Sequence, residues 1–264
     1  MMLNLLINYF LCGILTGFLS GLLGIGGGIV GIPILLTFLN QQGFSEQFAT
    51  HIAIATMLTT IIPTSLIASY RHWLNRLIDF SLVKTMLPGL LLGSVAGTII
   101  SSWLDPVFLR HIFAIFLFLI AIQMLWFREI KTSPFFSDQK IKMFITFIIG
   151  GLCSMLGLGG GILMVPYLRL TGMSTTHAIG TSTACILPNA IVATISYAFN
   201  GMHSTEVHAF SSGFIYWPAF LGISAASMLF APIGAYFTPK IPAIYLNIIF
   251  VFFILLSAIK LLLI

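Results

Sequence analysis

Two stretches of the chain share one pattern: GLLGIGGGIVGIP runs from Gly21 to Pro33, and SMLGLGGGILMVP runs from Ser154 to Pro166. Each stretch joins a glycine cluster to a short apolar segment and a proline. A glycine-rich break that recurs near the start of each half of an apolar chain indicates a duplicated membrane unit. We therefore expect the functional site where the two copies meet.

The composition is that of an integral membrane protein. The chain has 264 residues, of which 59% are hydrophobic and only 6% are charged, against roughly 25% charged in soluble domains. Runs such as Phe80–Trp103, Val107–Phe127 and Ala243–Ile264 approach or exceed the roughly 20 residues that cross a bilayer as a helix. The runs are too long for porin-type strands. The sequence thus predicts an all-α polytopic protein of the cell (inner) membrane.

The two halves agree in order along most of their length. Gly43-Phe44-Ser45 corresponds to Gly172-Met173-Ser174, for example. We predict two homologous transmembrane repeats, residues 1–127 and residues 143–264. The charged, proline-containing stretch 128–142 between them is predicted to be a cytoplasmic linker.

The apolar segments after the glycine clusters, Ile29–Leu39 and Ile162–Leu170, are too short to span a membrane alone. Either each continues a broken helix, which gives eight spans and parallel repeats, or the chain reverses as a hairpin, which gives inverted repeats. Cytoplasmic loops are enriched in Lys and Arg, and only the hairpin arrangement puts most basic residues on one side. We favour the hairpin. The residues on that side are Arg71, Arg76, Lys84, Arg128, Lys131, Lys140, Lys142, Arg169 and Lys240.

The glycine clusters are the first candidate binding element. Glycine frees the backbone from the helical region, and unpaired N–H groups at membrane depth are costly unless protein, water or ligand pairs with them. The N-terminal N–H groups and dipoles of the following half-helices favour an anion. The alternative is that these glycines only let helices approach closely. The candidate residues are Gly24, Gly26, Gly27, Gly28, Gly157, Gly159, Gly160 and Gly161.

A second candidate layer lies on the helix that follows each half-helix. Thr56, Thr181, Ser182 and Asn189 carry hydroxyl or amide donors that suit an oxyanion without the cost of a buried cation, although Ser and Thr also bond back to their own helix. His51 and His177 are candidates for proton coupling, with an interfacial hydrogen-bonding role as the alternative. Acidic residues are almost absent from the spans, which disfavours coupling through a carboxylate.

Other classes of function find no support. The net charge of +5 comes from scattered basic residues, so topology explains it better than nucleic acid does. The three cysteines lack metal-like spacing, and no phosphate-binding loop for ATP is present. The glycine string is not a dinucleotide fingerprint, because no strand precedes it. We expect no metal, no cofactor and no nucleic-acid partner.

With these residues in view, the chain resembles the TauE/SafE sulfite exporter family of membrane permeases, also called the TSUP family. The resemblance rests on GFLSGLLGIGGG from Gly17 to Gly28, on its copy GGLCSMLGLGGG from Gly150 to Gly161, and on HAIGTST from His177 to Thr183. It implies transport of small sulfur oxyanions or organosulfur compounds, with the glycine clusters and Gly180-Thr181-Ser182 at the site. The first half departs from this pattern, since Ala55-Thr56-Met57 stands at the corresponding place.

The sequence thus predicts a secondary transporter, not an enzyme, that moves sulfite, thiosulfate or an organosulfonate by alternating access. Two alternatives remain open: a passive anion channel and an intramembrane enzyme. The expected partners are the small sulfur-containing anion and the lipid bilayer, and a homodimer is compatible with the sequence.

Overall fold

The computed structural model describes residues 2–24, 26–126, 138–202 and 210–263. This part of the chain is almost entirely helical. The helices are α1 (Met2–Leu23), α2 (Gly28–Gln41), α3 (Glu46–Leu74), α4 (Phe80–Trp103), α5 (Pro106–Trp126), α6 (Gln139–Met155), α7 (Gly161–Leu170), α8 (Thr175–Gly201), α9 (Trp217–Phe237) and α10 (Ala243–Leu263). A short antiparallel pair, β1 (Ser211–Ser212) and β2 (Ile215–Tyr216), precedes α9.

Seven of the described helices are long and apolar enough to cross a membrane. The half-helices α2 and α7 are shorter, with 14 and 10 residues, and α6 has 17. The prediction of an all-α polytopic membrane protein is confirmed. The seven candidate spans are Leu5–Leu23, Glu46–Leu74, Phe80–Trp103, Pro106–Gln123, Thr175–Gly201, Trp217–Lys240 and Ile244–Leu263.

Acidic residues cap helices outside the apolar spans. The Asp79 carboxylate accepts hydrogen bonds from the Ser81 and Leu82 amides at the start of α4, and Asp105 and Asp138 do the same for α5 and α6. Such caps satisfy first-turn N–H groups that have no intrahelical partner. Carboxylates therefore set where these spans begin and stay out of the apolar interior.

The chain reverses at the first glycine break. The Gln42 side-chain amide donates to the Tyr9 hydroxyl at 2.6 Å, and the rings of Tyr9 and Phe38 lie 5.9 Å apart. A continuous helix would separate residues 9 and 42 by about 50 Å, at 1.5 Å of rise per residue. Therefore α1 and α2 form a hairpin, as we favoured from the basic residues.

The second break also turns the chain back. The Cys153 sulfur, in the last turn of α6, lies within hydrogen-bonding reach of the backbone of Gly160 and Leu163. A helix continued across the break would carry Leu163 about 15 Å along the axis from Cys153. The start of α7 is instead folded against the end of α6.

The two halves exchange their packing partners. The α1 and α9 helices pack in parallel, with Gly13 against Ile223 and Gly21 against Ala231, while α4 packs in parallel on α6. Thus the first helix of each half packs on the fourth helix of the other, and α3 packs on α8 and α5 on α10. An internal two-fold relation would produce this exchange. The repeat itself stays a prediction, which the exchange favours.

Corresponding helices run in opposite directions. The end of the bundle where α3 begins, the Glu46 end, also holds the starts of α1 and α9, since Tyr216 lies beside Tyr9 and Phe44. At the opposite Arg71 end, α4 and α8 begin, because the Asp79 amide hydrogen-bonds to Thr181. These directions are those of the inverted arrangement.

The basic residues collect at the Arg71 end. By the connectivity of the helices this end carries Asp79 and Asp138 and the basic residues Arg71, Arg76, Lys84, Lys140, Lys142, Arg169 and Lys240, and the Glu46 end carries Glu46, Asp105, Arg110 and Lys260. The asymmetry is the one that the positive-inside rule associates with the cytoplasm. Residues 128–137 of the predicted linker lie outside the described residues, and Gln139–Lys142, also assigned to the linker, belong to α6.

We predict that Gly93→Ala lowers the unfolding temperature in detergent more than Gly151→Ala does. A methyl group at Gly93 would collide with the backbone oxygen of Phe147 across the α4–α6 contact, whereas one at Gly151 would lie 3.3 Å from its nearest neighbour. Overpacking of this kind costs about 1–3 kcal/mol. Thermal unfolding followed by size-exclusion chromatography measures the difference, and equal shifts would contradict the close backbone approach.

Candidate functional site

The two glycine breaks touch each other in the interior of the bundle. A methyl group added at Gly28 would collide with the carbonyl oxygen of Gly157, and one at Gly26 would lie 3.2 Å from the carbonyl oxygen of Leu158. All eight candidate glycines are buried. The structure therefore brings together the two clusters that the sequence singled out.

Left-handed glycines cap both half-helices. Gly27 precedes α2 with φ of 75°, and Gly160 precedes α7 with φ of 116°. L-residues with side chains rarely adopt this backbone conformation. Because glycine has no side-chain oxygen, neither half-helix receives the side-chain cap that the aspartates supply to α4, α5 and α6. The half-helices thus begin without a cap from the residue that precedes them, and they begin inside the protein. In α7 the Cys153 sulfur lies within reach of the Leu163 amide, which leaves the earlier amides of that turn.

The first turn of α2 keeps donors available. In the described part of the chain, no residue accepts a hydrogen bond from the backbone N–H of Gly28 or Val30, and the Gly31 amide is bonded to Gly27. Amides at a helix start carry the positive end of the helix dipole. This end of α2 is therefore suited to a negatively charged group.

The amide of Asn189 faces the start of α7. Its Nδ2 donates to the Ser154 hydroxyl and to the Gly159 carbonyl oxygen, both at 3.1 Å. Its Oδ1 is buried without a partner among the described residues, and the side chain is fully buried. Among the described residues, a methyl group at Gly160 would have one neighbour within 4 Å, the Asn189 Nδ2 at 3.9 Å. The β position of Gly160 at the start of α7 is therefore uncrowded, and the side chain nearest to it carries an unsatisfied oxygen.

The helices α3 and α8 make different contacts with the breaks and the half-helices. The Ser182 hydroxyl donates to the Gly24 carbonyl oxygen at 3.3 Å, a bond across the two halves. Met57, which aligns with Ser182, instead packs its methyl group against Gly31. The sequence predicted that the two halves differ at the positions of Met57 and Ser182. The contacts show that Ser182 forms a hydrogen bond to a break, whereas Met57 packs against Gly31.

Thr56 and Thr181 serve as acceptors between the halves. The Tyr216 amide donates to the Thr56 hydroxyl and the Asp79 amide to the Thr181 hydroxyl, each at 3.0 Å. The two bonds lie toward opposite ends of the bundle. Each ties the start of a helix of one half to the central helix of the other half. A hydroxyl that accepts one bond can still donate another, so the role of Thr56 and Thr181 as substrate donors stays a prediction.

The two histidines lie toward opposite ends of the bundle. His51 is buried, bonds through Nε2 to the Ser101 carbonyl oxygen at 2.9 Å and stacks on Phe214. His177 is exposed at the start of α8, with Nδ1 3.0 Å from the Ser174 hydroxyl. The structure does not bring them together, and proton coupling stays a prediction.

Three residues at the breaks are not among the candidates predicted from the sequence. The Ile61 side chain lies 3.3 Å from the β position of both Gly26 and Gly159, so it stands between the breaks. Ser94 and Ser154 join hydroxyls at 2.7 Å beside Asn189. Ser154 opens the second repeated stretch and could have been marked on that ground. Nothing in the sequence distinguishes Ile61 from other apolar residues of its span.

Comparison with known proteins identifies the family. The family model of the sulfite exporter TauE/SafE matches residues 9–261. The chain belongs to this family. The TauE/SafE chain is 31% identical over 255 residues to a "Probable membrane transporter protein" of Haemophilus influenzae, an alignment that covers 95% of each chain. It is 28% identical over 240 residues to a protein of the same description from Methanocaldococcus jannaschii, covering 89% of this chain and 87% of the relative.

A third TauE/SafE relative, from Bacillus subtilis, is 25% identical over 215 residues, which cover 72% of this chain and 77% of the relative. It too bears the description "Probable membrane transporter protein". No solved structure matches the chain. Family and relatives together make this TauE/SafE protein a multi-pass membrane transporter of the cell (inner) membrane and not an enzyme, as predicted.

Proposed function

We propose that this protein is a secondary transporter that moves a small sulfur-containing anion, such as sulfite, thiosulfate or an organosulfonate, across the membrane by alternating access. The observation that carries the proposal is the contact between the two glycine breaks, from each of which a half-helix begins without an N-cap side chain, with the unsatisfied amide of Asn189 beside the second break. Helix starts bind anions through free N–H groups. The family description names sulfite, which supports sulfur oxyanions as the substrate class.

The contacts between the halves support alternating access. The Tyr216–Thr56 bond closes the bundle toward the Glu46 end and the Asp79–Thr181 bond toward the Arg71 end. A transporter built from oppositely directed halves exposes a central site by rocking one half against the other. We infer that the two bonds break in turn. The positive-inside rule assigns the Arg71 end to the cytoplasm.

Transport by the purified protein in liposomes tests the proposal. Saturable uptake of labelled thiosulfate, accelerated by unlabelled thiosulfate trapped inside, is expected of a carrier. Sulfite, sulfoacetate and taurine would compete in this assay, with acetate as the control anion. Flux that neither saturates nor shows counterflow would indicate the channel alternative. Light scattering of the purified protein measures whether it forms the homodimer that the sequence allows.

We predict that Asn189→Leu lowers the uptake rate about tenfold. The change removes the donor to Ser154 and Gly159 and leaves a buried carbonyl oxygen with one partner fewer, a loss of about 1–3 kcal/mol. Asn40→Leu is the matched control, because Asn40 carries the same side chain at the far end of α2. An Asn189→Leu variant that folds and transports as fast as Asn40→Leu would refute the proposed site.

A further inference from the structure

A groove of about 290 Å³ opens at the Arg71 end, outside the candidate site. It lies between the last turns of α3 and α9 and is lined by Arg71, Pro232, Ile233 and Tyr236. The lining joins one cation to an apolar and aromatic floor. Neither the glycine breaks nor the bonds between the halves involve this groove.

Two cations meet over one ring in the groove. The Arg71 guanidinium carbon lies 5.5 Å from the centre of the Tyr236 ring, and the Lys240 ammonium lies 3.6 Å from it. Among the described residues, no carboxylate is paired with either cation, and the Lys240 ammonium lies within hydrogen-bonding reach of the Tyr236 hydroxyl. The ring offsets part of their charge. A net positive charge remains that suits an anion.

The surroundings of the groove are those of a membrane interface. Tyr70 and Trp73 are 58% and 52% exposed, and their rings lie 5.8 Å apart beside Arg71. Aromatic residues of this kind concentrate at the headgroup level of a bilayer. Further into the bundle, Leu66 on α3 and Leu229 on α9 are exposed apolar residues. The surface thus runs from cations at the end of the bundle to apolar residues toward its middle.

We propose that this groove binds an anionic phospholipid, with the headgroup phosphate between Arg71 and Lys240 and an acyl chain along α3 and α9. A phosphate accepts charge-assisted hydrogen bonds from both cations, and basic pockets between membrane helices on the cytoplasmic side bind anionic headgroups. A water-soluble anion would use the cations but not the apolar floor. A zwitterionic lipid would bring its own cation next to the pair.

Lipid binding to the purified, delipidated full chain tests this site. Native mass spectrometry compares phosphatidylglycerol with phosphatidylcholine of identical acyl chains. We expect phosphatidylglycerol to bind at least about tenfold more tightly and to raise the unfolding temperature, since a ligand stabilises the state it binds. Arg71→Gln/Lys240→Gln should abolish the preference. The control Arg76→Gln/Lys84→Gln removes the same charge from exposed positions at the same end and should keep it.

Three results would overturn the lipid site. They are equal binding of the two lipids, a preference that survives Arg71→Gln/Lys240→Gln, and displacement of phosphatidylglycerol by millimolar inorganic phosphate, which would make the groove a site for a water-soluble anion. If the double variant does not fold, the exposed Lys240→Gln alone should weaken the preference, and an unchanged preference would refute the site. If Arg71→Gln/Lys240→Gln dissociated a dimer of the protein but left the affinity for phosphatidylglycerol unchanged, a second copy of the chain would be the partner that covers the groove.

Discussion

Replacing Gly28 with alanine should reduce substrate uptake to the background of protein-free liposomes. The added methyl group collides with the carbonyl oxygen of Gly157, which is backbone and cannot rotate away. The two glycine breaks must then move apart, and with them the start of α2 and the segment that leads to α7. Because a misplacement of about 1 Å can cost a hundredfold in a positioned site, the smallest possible side chain is enough to disable this one.

Gly31→Ala is the matched control for that experiment. It adds the same methyl group one turn later on α2, where the nearest obstacle is the flexible end of Met57, followed by the Thr16 methyl group at 3.0 Å, and no backbone atom is among these neighbours. Met side chains adapt to such changes, so the control should retain most of the uptake. Thermal unfolding of both variants separates loss of the fold from loss of transport. Equal uptake by the two variants would show that contact between the breaks does not matter for function.

The sequence predicted much of the fold because the decisive signals are local. Glycine clusters followed by short apolar segments indicate half-helices, and α2 and α7 begin at Gly28 and Gly161, one residue before the predicted segments. The distribution of Lys and Arg favoured chain reversal, which the Tyr9–Gln42 contact confirms. Both signals can be read without knowing which helices touch.

The sequence could not predict which side chains form hydrogen bonds or contacts across the bundle. Which hydroxyl meets which amide depends on how the helices pack, so the sequence marked Thr56 and Thr181 as donors but could not show that their hydroxyls accept from Tyr216 and Asp79. Ile61 illustrates the same limit for an apolar residue, which the sequence did not mark although it lies at the breaks. An apolar residue in an apolar span carries no mark of its position, and only its place between Gly26 and Gly159 sets it apart.

Ile61 also offers the sharpest test of the sign of the substrate charge. Its side chain is 1% exposed and contacts both breaks, so Ile61→Asp would place a carboxylate where the two halves meet. At about 6 Å and an effective dielectric constant of about 20, a negative charge opposes a bound anion by about 3 kcal/mol. We expect thiosulfate to bind roughly a hundredfold more weakly to Ile61→Asp than to Ile61→Asn.

The comparison of Asp with Asn isolates charge, because the two side chains have nearly the same shape and both replace the same isoleucine. A buried carboxyl can take up a proton to avoid the cost of its charge, so binding is measured at pH 6 and at pH 8. The gap between the variants should widen at pH 8, where more of the carboxyl is ionised, while the Asn variant reports any change in the substrate itself. If the Asp variant bound thiosulfate as well as the Asn variant at pH 8, the anion would not lie between the breaks. If the Asp variant instead bound and transported a cation such as Na⁺, the glycine breaks would serve only the close packing of helices. The unsatisfied Oδ1 of Asn189 would then belong to a cation site.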